Sequence, residues 1–529
     1  MELKTEKNML RLSYPYDKSK IKLCKKLGMR WSKQKKDWYF ANNFMNRLCL
    51  DRIFPGICPQ SPKKIKELIV PEFLMEHQKG ALRRAARQDR RGIYHDTGTG
   101  KTLATLEIIK HHNVKTLVMC PLSLIEGAWI PETQKWYPAI NASNLWLAKK
   151  RSYTHLAKKL EKDLCIINYE SFRTINKVLA KANFEMVILD ESARIRSQKS
   201  STAKKVIEFC DNVQYVYELS GVPAPNSMLD YWTQIRILDP LLWGKSFYKF
   251  RTKYFYPTGY GGYKWEVKPE YKEKLMEDIK TVAEYVNKAD VLDLPERTDS
   301  MRVFQLSAEE RKHYKNIKNE LVTILDDGEV ITSPSAVTAL MKLRQIPSGF
   351  ILDKILISGE TDKKGRQKFK TIAHNIGNSK INEFRTLVED IGPKQVIVWI
   401  NFKHEALQVV KALREMGVES GLLNSTATEK QKQEYLKAFK SGDLQYIVCH
   451  PKSVGFGHTL VNCTEAIYYS WDHSYDNSHQ SRDRMYRKGQ TKKCTYYYLL
   501  SDNTMDLPIL KAVKSKENVS QAVLDYLKK

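Results

Sequence analysis

The sequence predicts an α/β protein of two tandem parallel-sheet lobes, with helical insertions between them and a small α+β domain in front. Three observations lead there. Short apolar strands alternate with helical stretches from about residue 66 to 240, and the alternation returns from about 379. Residues 1–65 differ from both, with 16 basic and 5 acidic side chains, a net +11 within a chain total of +28. A length of 529 residues accommodates several domains, since one core of ordinary size serves roughly 150 residues.

In residues 1–65, "NMLRLSYPY" alternates as a strand does, and "DKSKIKLCKKLG" reads as a helix capped by Asp17 and stopped at Gly28. Ile21, Cys24 and Leu27 fall on one face of that helix. "RWSKQKKDWYF" then reads as a hairpin, with Trp31, Trp38, Tyr39 and Phe40 set among Lys33, Lys35 and Lys36. Basic residues interleaved with aromatics suit a platform for phosphates and unstacked bases, so Arg30, Lys35, Lys36 and Trp38 are expected to meet DNA. The competing reading is that so small a domain needs its aromatics as core.

The first lobe, residues 66–240, carries "GIYHDTGTGKT", a strand, a turn and a helix start in that order. The phosphate-loop pattern G-x-x-x-x-G-K-[ST] is met except that His95 stands at its first glycine. In such a loop the backbone of Asp96, Thr97, Gly98, Thr99 and Gly100 presents N–H groups to phosphates. Lys101 reaches the β- and γ-phosphates and Thr102 holds Mg²⁺, so ATP with Mg²⁺ is expected. Further on, "FEMVILDESARIRS" runs four apolar residues into Asp190-Glu191, two acids at the end of a buried strand, where open α/β sheets bind ligands. Asp190 suits an outer ligand of the same Mg²⁺, and Glu191 suits the activation of water.

Residues 241–378 read as helical and aromatic insertions, with a charged hairpin around "SGETDKKGRQ". The second lobe, 379–529, repeats the strand pattern in "QVIVWI" and "LQYIVCH". It also holds "QSRDRMYRKGQ", where Arg484 and Arg487, three apart, would share one face of a helix. Arginines that reach a γ-phosphate stabilise the charge of phosphoryl transfer, and here that requires the lobes to close around the nucleotide.

The charge excess concentrates polyanions, so the expected partner is nucleic acid, bound without regard to sequence. No apolar run approaches the 18 residues of a spanning helix, and the opening lacks a secretory apolar core. The nine cysteines form no C-x-x-C pair and read as small buried hydrophobes. A soluble, intracellular protein with no membrane partner is expected.

Taken in order, the motifs resemble those of the Swi/Snf-type DNA translocases of helicase superfamily two, over about residues 70 to 505. "LMEHQKGAL" is similar to the adenine-side motif, with its glutamine at Gln78. "DTGTGKT" resembles motif I, "CPLSLIEGAWIPETQKWYP" motif Ia, "LDESARIRS" the DEAH-type box and "LSGVPAPN" motif III. "MKLRQIPSGF" resembles the Leu-Arg-Gln segment, "HPKSVGFGHTL" motif V and "QSRDRMYRKGQ" motif VI, which adds Gln480 to the catalytic set. The resemblance implies RecA-like lobes and a chain that tracks duplex DNA. Lys452 and Ser453 of motif V are then expected at its phosphates. Two departures stand out: Ala193 replaces the closing His of the box, and Val222 replaces the Thr of motif III. Residues 1–65 loosely resemble the HARP module of annealing helicases.

The expected activity is that of a DNA-dependent ATPase and translocase remodelling forks or four-way junctions, as phage-encoded branch-migration helicases do, in a bacterial or phage-infected cytoplasm. Two alternatives remain at this point: a motor component of a restriction or other multi-subunit system, and a nucleotide-switched DNA-binding protein that does not translocate.

Overall fold

Strands buried on both faces are written as nearly unbroken apolar runs, and three such strands, TLVMC, LCIIN and MVILD, lie in the first sheet. A computed structural model of the chain describes residues 1–58, 67–146, 153–225, 227–258, 264–326, 333–361, 367–424, 426–451, 460–470 and 475–514. It divides into two units, Met1–Asp293 and Leu294–Lys529. Both are RecA-like α/β lobes in the sense the sequence predicts, each built on a parallel sheet.

The first unit's main sheet has seven parallel strands. Their order across the sheet is Ala283–Val286, Arg90–His95, Tyr215–Leu219, Met186–Asp190, Thr116–Cys120, Leu164–Asn168, Ala142–Asn144. Every residue of Thr116–Cys120, Leu164–Asn168 and Met186–Asp190 is buried. The edge strand Ala283–Val286 comes from the stretch expected to be purely an insertion. Its four residues follow the helix Pro269–Val282 directly, and with Glu284 among them they carry no apolar run.

Residues 2–53 form a separate antiparallel sheet, ordered Glu2–Glu6, Met9–Ser13, Asp37–Ala41, Arg30–Ser32, with two helices. Helix Lys18–Lys26 starts as expected, with the Asp17 carboxylate accepting from Ser19 N at 2.9 Å and Lys20 N at 3.2 Å. The second helix, Phe44–Ile53, faces the lobe. Met45 N donates to Asp211 O at 2.9 Å, Arg52 pairs with Asp239 at 2.7 Å, and Phe44 lies on the Arg90 guanidinium, 5.7 Å from ring centre to cation. Arg90 opens its strand and Asp211 precedes another, so the module sits at the amino ends of the parallel strands, away from the loops at their carboxyl ends.

The second unit holds six parallel strands, ordered Arg297–Phe304, Cys494–Ser501, Glu465–Tyr468, Val396–Trp399, Tyr446–Cys449, Ser420–Leu423. Arg297–Phe304, again from the expected insertion, pairs along eight residues with Cys494–Ser501. Strands Phe350–Thr361 and Gln367–Asn375 form the expected hairpin; its tip at 362–366 lies outside the described residues. All nine cysteines are buried and free. Among the described residues no helix is long and apolar enough to cross a membrane.

Candidate nucleotide site

The loop Asp96–Gly100 leaves the Arg90–His95 strand and enters the helix Lys101–His112. Gly98 and Gly100 have φ of 85° and 77°, left-handed values that side chains resist, and a Cβ on Gly100 would strike the Gln78 amide. His95 lies within the strand, outside that left-handed region, so the position that deviates from the general pattern has no need of glycine. Its side chain is fully buried, and its Nε2 lies 3.0 Å from Glu284 Oε1.

Lys101 Nζ donates to His95 O at 2.8 Å and Asp96 O at 3.1 Å, which places the ammonium in the bend of the loop. Thr99 Oγ1 closes the turn by donating to Asp96 O at 2.7 Å. Gln78 is 2% exposed, and its amide grips the far side. Its Nε2 donates to Gly100 O at 3.1 Å and Thr99 O at 3.3 Å, while its Oε1 accepts from Met75 N at 2.9 Å. His77 Nε2, donating to Thr99 O at 2.8 Å, adds a contact that sequence reading missed. A Cβ on Gly221 would come within 3.1 Å of Thr97, so the turn after the Tyr215–Leu219 strand abuts the loop.

Asp190 ends its strand buried, and both carboxylate oxygens are engaged. Oδ2 accepts from the Trp129 indole at 2.9 Å, and Oδ1 accepts from Glu191 N at 3.0 Å. Burial pushes this carboxyl above its ordinary value, against the opposing pull of the Trp129 bond and the Lys101 charge. Each oxygen keeps a lone pair for a metal-bound water. The Asp190 carboxylate and the Thr102 hydroxyl are oxygen donors of the kind Mg²⁺ would take when phosphates and water supply its remaining ligands. Among the described residues no group of three or more His, Cys, Asp or Glu forms a metal cage of its own. Glu191 adopts φ 54°, a left-handed turn that breaks the chain direction after the strand.

Ser192 Oγ donates to Gln234 Oε1 at 2.7 Å, and Gln234 Nε2 donates to Pro223 O at 2.8 Å. One buried glutamine thus ties the acid pair's turn to the turn that holds Val222. Ala193 and Val222, where the family resemblance sets His and Thr, carry no polar side chain for that task.

In the second unit the helix Tyr475–Arg482 ends before Arg484 and Arg487, which lie in turns and not on the expected shared helical face. The cause is local. Arg484 O is taken by Leu460 N at 2.9 Å, and the buried Gln490 amide draws the chain back to Val461 O and Cys463 O at 3.2 and 3.0 Å. Arg484 is buried, while Gln480 and Arg487 are partly exposed. Lys452 and Ser453 lie outside the described residues.

On the amino-terminal module Arg30 and Lys36 are exposed, and Lys35 pairs with Glu6 at 2.6 Å. Trp38, expected to face DNA, is a core residue at 7% exposure. Trp31, its cross-strand partner on the edge strand, is 48% exposed and is the tryptophan of the pair that reaches the surface.

A family model described as the SNF2-related domain matches residues 72–348, and one described as the helicase conserved C-terminal domain matches residues 379–489. Saccharomyces cerevisiae "DNA repair and recombination protein RDH54" is 24% identical over 435 residues, 78% of this chain and 46% of its own length. The chain therefore spans about half of that relative. "Putative protein p41" of Acyrthosiphon pisum secondary endosymbiont phage 1 is 22% identical over 83% of this chain and 95% of its own. The solved "Sulfolobus solfataricus SWI2/SNF2 ATPase core in complex with dsDNA" is 21% identical over 86% of this chain and 92% of its own, at a TM-score of 0.38.

Proposed function

The chain belongs to the SNF2-related domain family of DNA-dependent ATPases, and from that premise we propose that it is an ATP-driven DNA translocase that remodels branched DNA by branch migration, fork regression or strand reannealing. The observation that carries this is one lobe holding both a phosphate loop and a strand-end acid pair at its carboxyl edge and a basic, tryptophan-bearing module at its opposite edge.

Asp96 to Thr102 cradle the triphosphate, with Gln78 at the adenine side. Thr102 and Asp190 hold Mg²⁺, which neutralises phosphate charge when bound. Glu191 activates water. Gln480, Arg484 and Arg487 serve the transferred phosphoryl group. Duplex or branched DNA is bound without base readout, through phosphate contacts from Arg30, Lys35, Lys36, Lys452 and Ser453, with Trp31 offering a stacking face. Residues 1–65 act as the branch-recognition domain ahead of lobes at 66–240 and 379–529, the first completed by Ala283–Val286. The likeness to phage protein p41 supports action in a bacterial or phage-infected cytoplasm.

The test is the ATPase rate with no DNA and with single-stranded, duplex, forked and four-way DNA, paired with migration of a labelled four-way junction. Rates should rise most with branched DNA. Equal rates under all five conditions would refute the translocase reading, and duplex stimulation without junction movement would refute the remodelling one.

A further inference from the structure

We propose that Glu284 is a positioning residue of the nucleotide site, acting through His95 to fix the strand side of the phosphate loop. This rests on the reading of Asp96–Thr102 as a triphosphate cradle.

The loop has two flanks, and different parts of the chain hold them. His77 and Gln78 hold the helix side through the carbonyls of Thr99 and Gly100. The strand side is held by residues 284–288, nearly 190 positions away, through three bonds to consecutive residues. His95 Nε2 meets Glu284 Oε1 at 3.0 Å, Asp96 N donates to Val286 O at 2.9 Å, and Lys288 N donates to Asp96 Oδ2 at 3.0 Å. The carbonyls of the same two residues, His95 and Asp96, receive the Lys101 ammonium. Whatever moves His95 moves the acceptors of the lysine that meets the phosphates.

The pair is buried on both sides. Glu284 is 7% exposed, with Arg84 on one oxygen and Arg91 at 3.9 Å, and these cations with His95 keep it below the ordinary carboxyl value despite burial. Burial pushes the His95 imidazole below its ordinary value, against the opposing effect of the Glu284 carboxylate 3.0 Å from its Nε2. Register also fixes Glu284 in place: Ala283 pairs with Gly92, where a Cβ would come within 2.9 Å of the Ala283 side chain, so any larger residue at 92 would push the edge strand away. A histidine at the patterned glycine is therefore a handle on the loop, reached from the edge strand.

The experiment measures binding of a fluorescent, non-hydrolysable ATP analogue, with KM and kcat for ATP and thermal unfolding, in Glu284→Ala, Glu284→Gln, His95→Ala and the double alanine variant. Glu284→Ala should weaken nucleotide binding about tenfold, the loss showing in Kd and KM more than in kcat. Glu284→Gln, whose amide oxygen still accepts from His95, should recover most of it. The double variant should lose no more than the worse single one. Wild-type nucleotide affinity in folded Glu284→Ala, with only a lower melting temperature, would overturn the proposal. If that variant does not fold, the same reading from His95→Ala decides. Lys101→Ala serves as the reference: should it too bind the analogue normally, the cradle reading itself fails, a result separable from the failure of Glu284.

Discussion

Glu218 offers a quantitative test of how the first lobe is built. It lies in the Tyr215–Leu219 strand with no exposure to solvent. Tyr94 OH donates to its Oε2 at 2.8 Å, while Oε1 is buried without a partner among the described residues. Burial raises its pKa from 4.5 to about 8, against the weaker opposing effects of the Tyr94 bond and the Arg90 charge. The folded state keeps a proton that the unfolded chain releases, so the stability tied to this group is complete below about pH 4.5 and is lost as the pH rises toward 8. At ~1.4 kcal/mol per unit, the loss reaches about 3 kcal/mol by pH 7 and about 5 kcal/mol above pH 8. Glu218→Gln keeps the shape and the acceptor for Tyr94 but cannot ionise. The assay is urea unfolding of both proteins from pH 4 to 9, where the variant should match wild type near pH 4, exceed it by less than about 1 kcal/mol at pH 5 and by increasing amounts to pH 8. Parallel stability curves across the whole range would refute the buried-carboxyl argument.

At the nucleotide site, Lys101→Ala should weaken triphosphate binding, whereas Glu191→Gln and Arg487→Ala should bind ATP but turn it over at least tenfold more slowly; equilibrium binding and steady-state rates distinguish the two patterns. Deleting residues 1–65 should leave an ATPase stimulated by duplex DNA while lowering the preference for forks and four-way junctions in competition binding. The same deletion uncovers Arg90 and strips Asp239 of Arg52, so the truncated protein should melt several degrees lower, with Arg52→Ala, a half-exposed pair worth roughly 1 kcal/mol at most, accounting for only part of that fall.

What could be read from sequence is what one segment dictates by itself. Met186–Asp190 is legible because a strand covered on both faces must be apolar throughout, and Gly98 to Thr102 because a backbone turned toward phosphates needs those residue types in that order. Asp17 is legible as a cap for the same local reason. Arg297–Phe304 was not, since "RTDSMRVF" lacks an apolar run and becomes a strand only through its eight pairings to Cys494–Ser501. Nor was the end of the helix at Arg482, set by a carbonyl that Leu460 claims from outside the segment.

The same division runs through the site and explains which of its residues stayed hidden. Trp31 and Trp38 are directly paired and 5.4 Å apart, with equal claims as written, yet strand order places one in the middle of its sheet and the other at the edge. Trp129 reaches Asp190 across 61 positions, Gln234 reaches Ser192 across 42, and Glu284 reaches His95 across 189. None of the three stands in a pattern that names its partner, because topology alone creates the partnership. The groups proposed to touch the nucleotide are conspicuous because ligand chemistry limits their type and spacing. Those that hold them need only a donor or acceptor at the right point of the fold, a demand that many residues meet and that only the fold can locate.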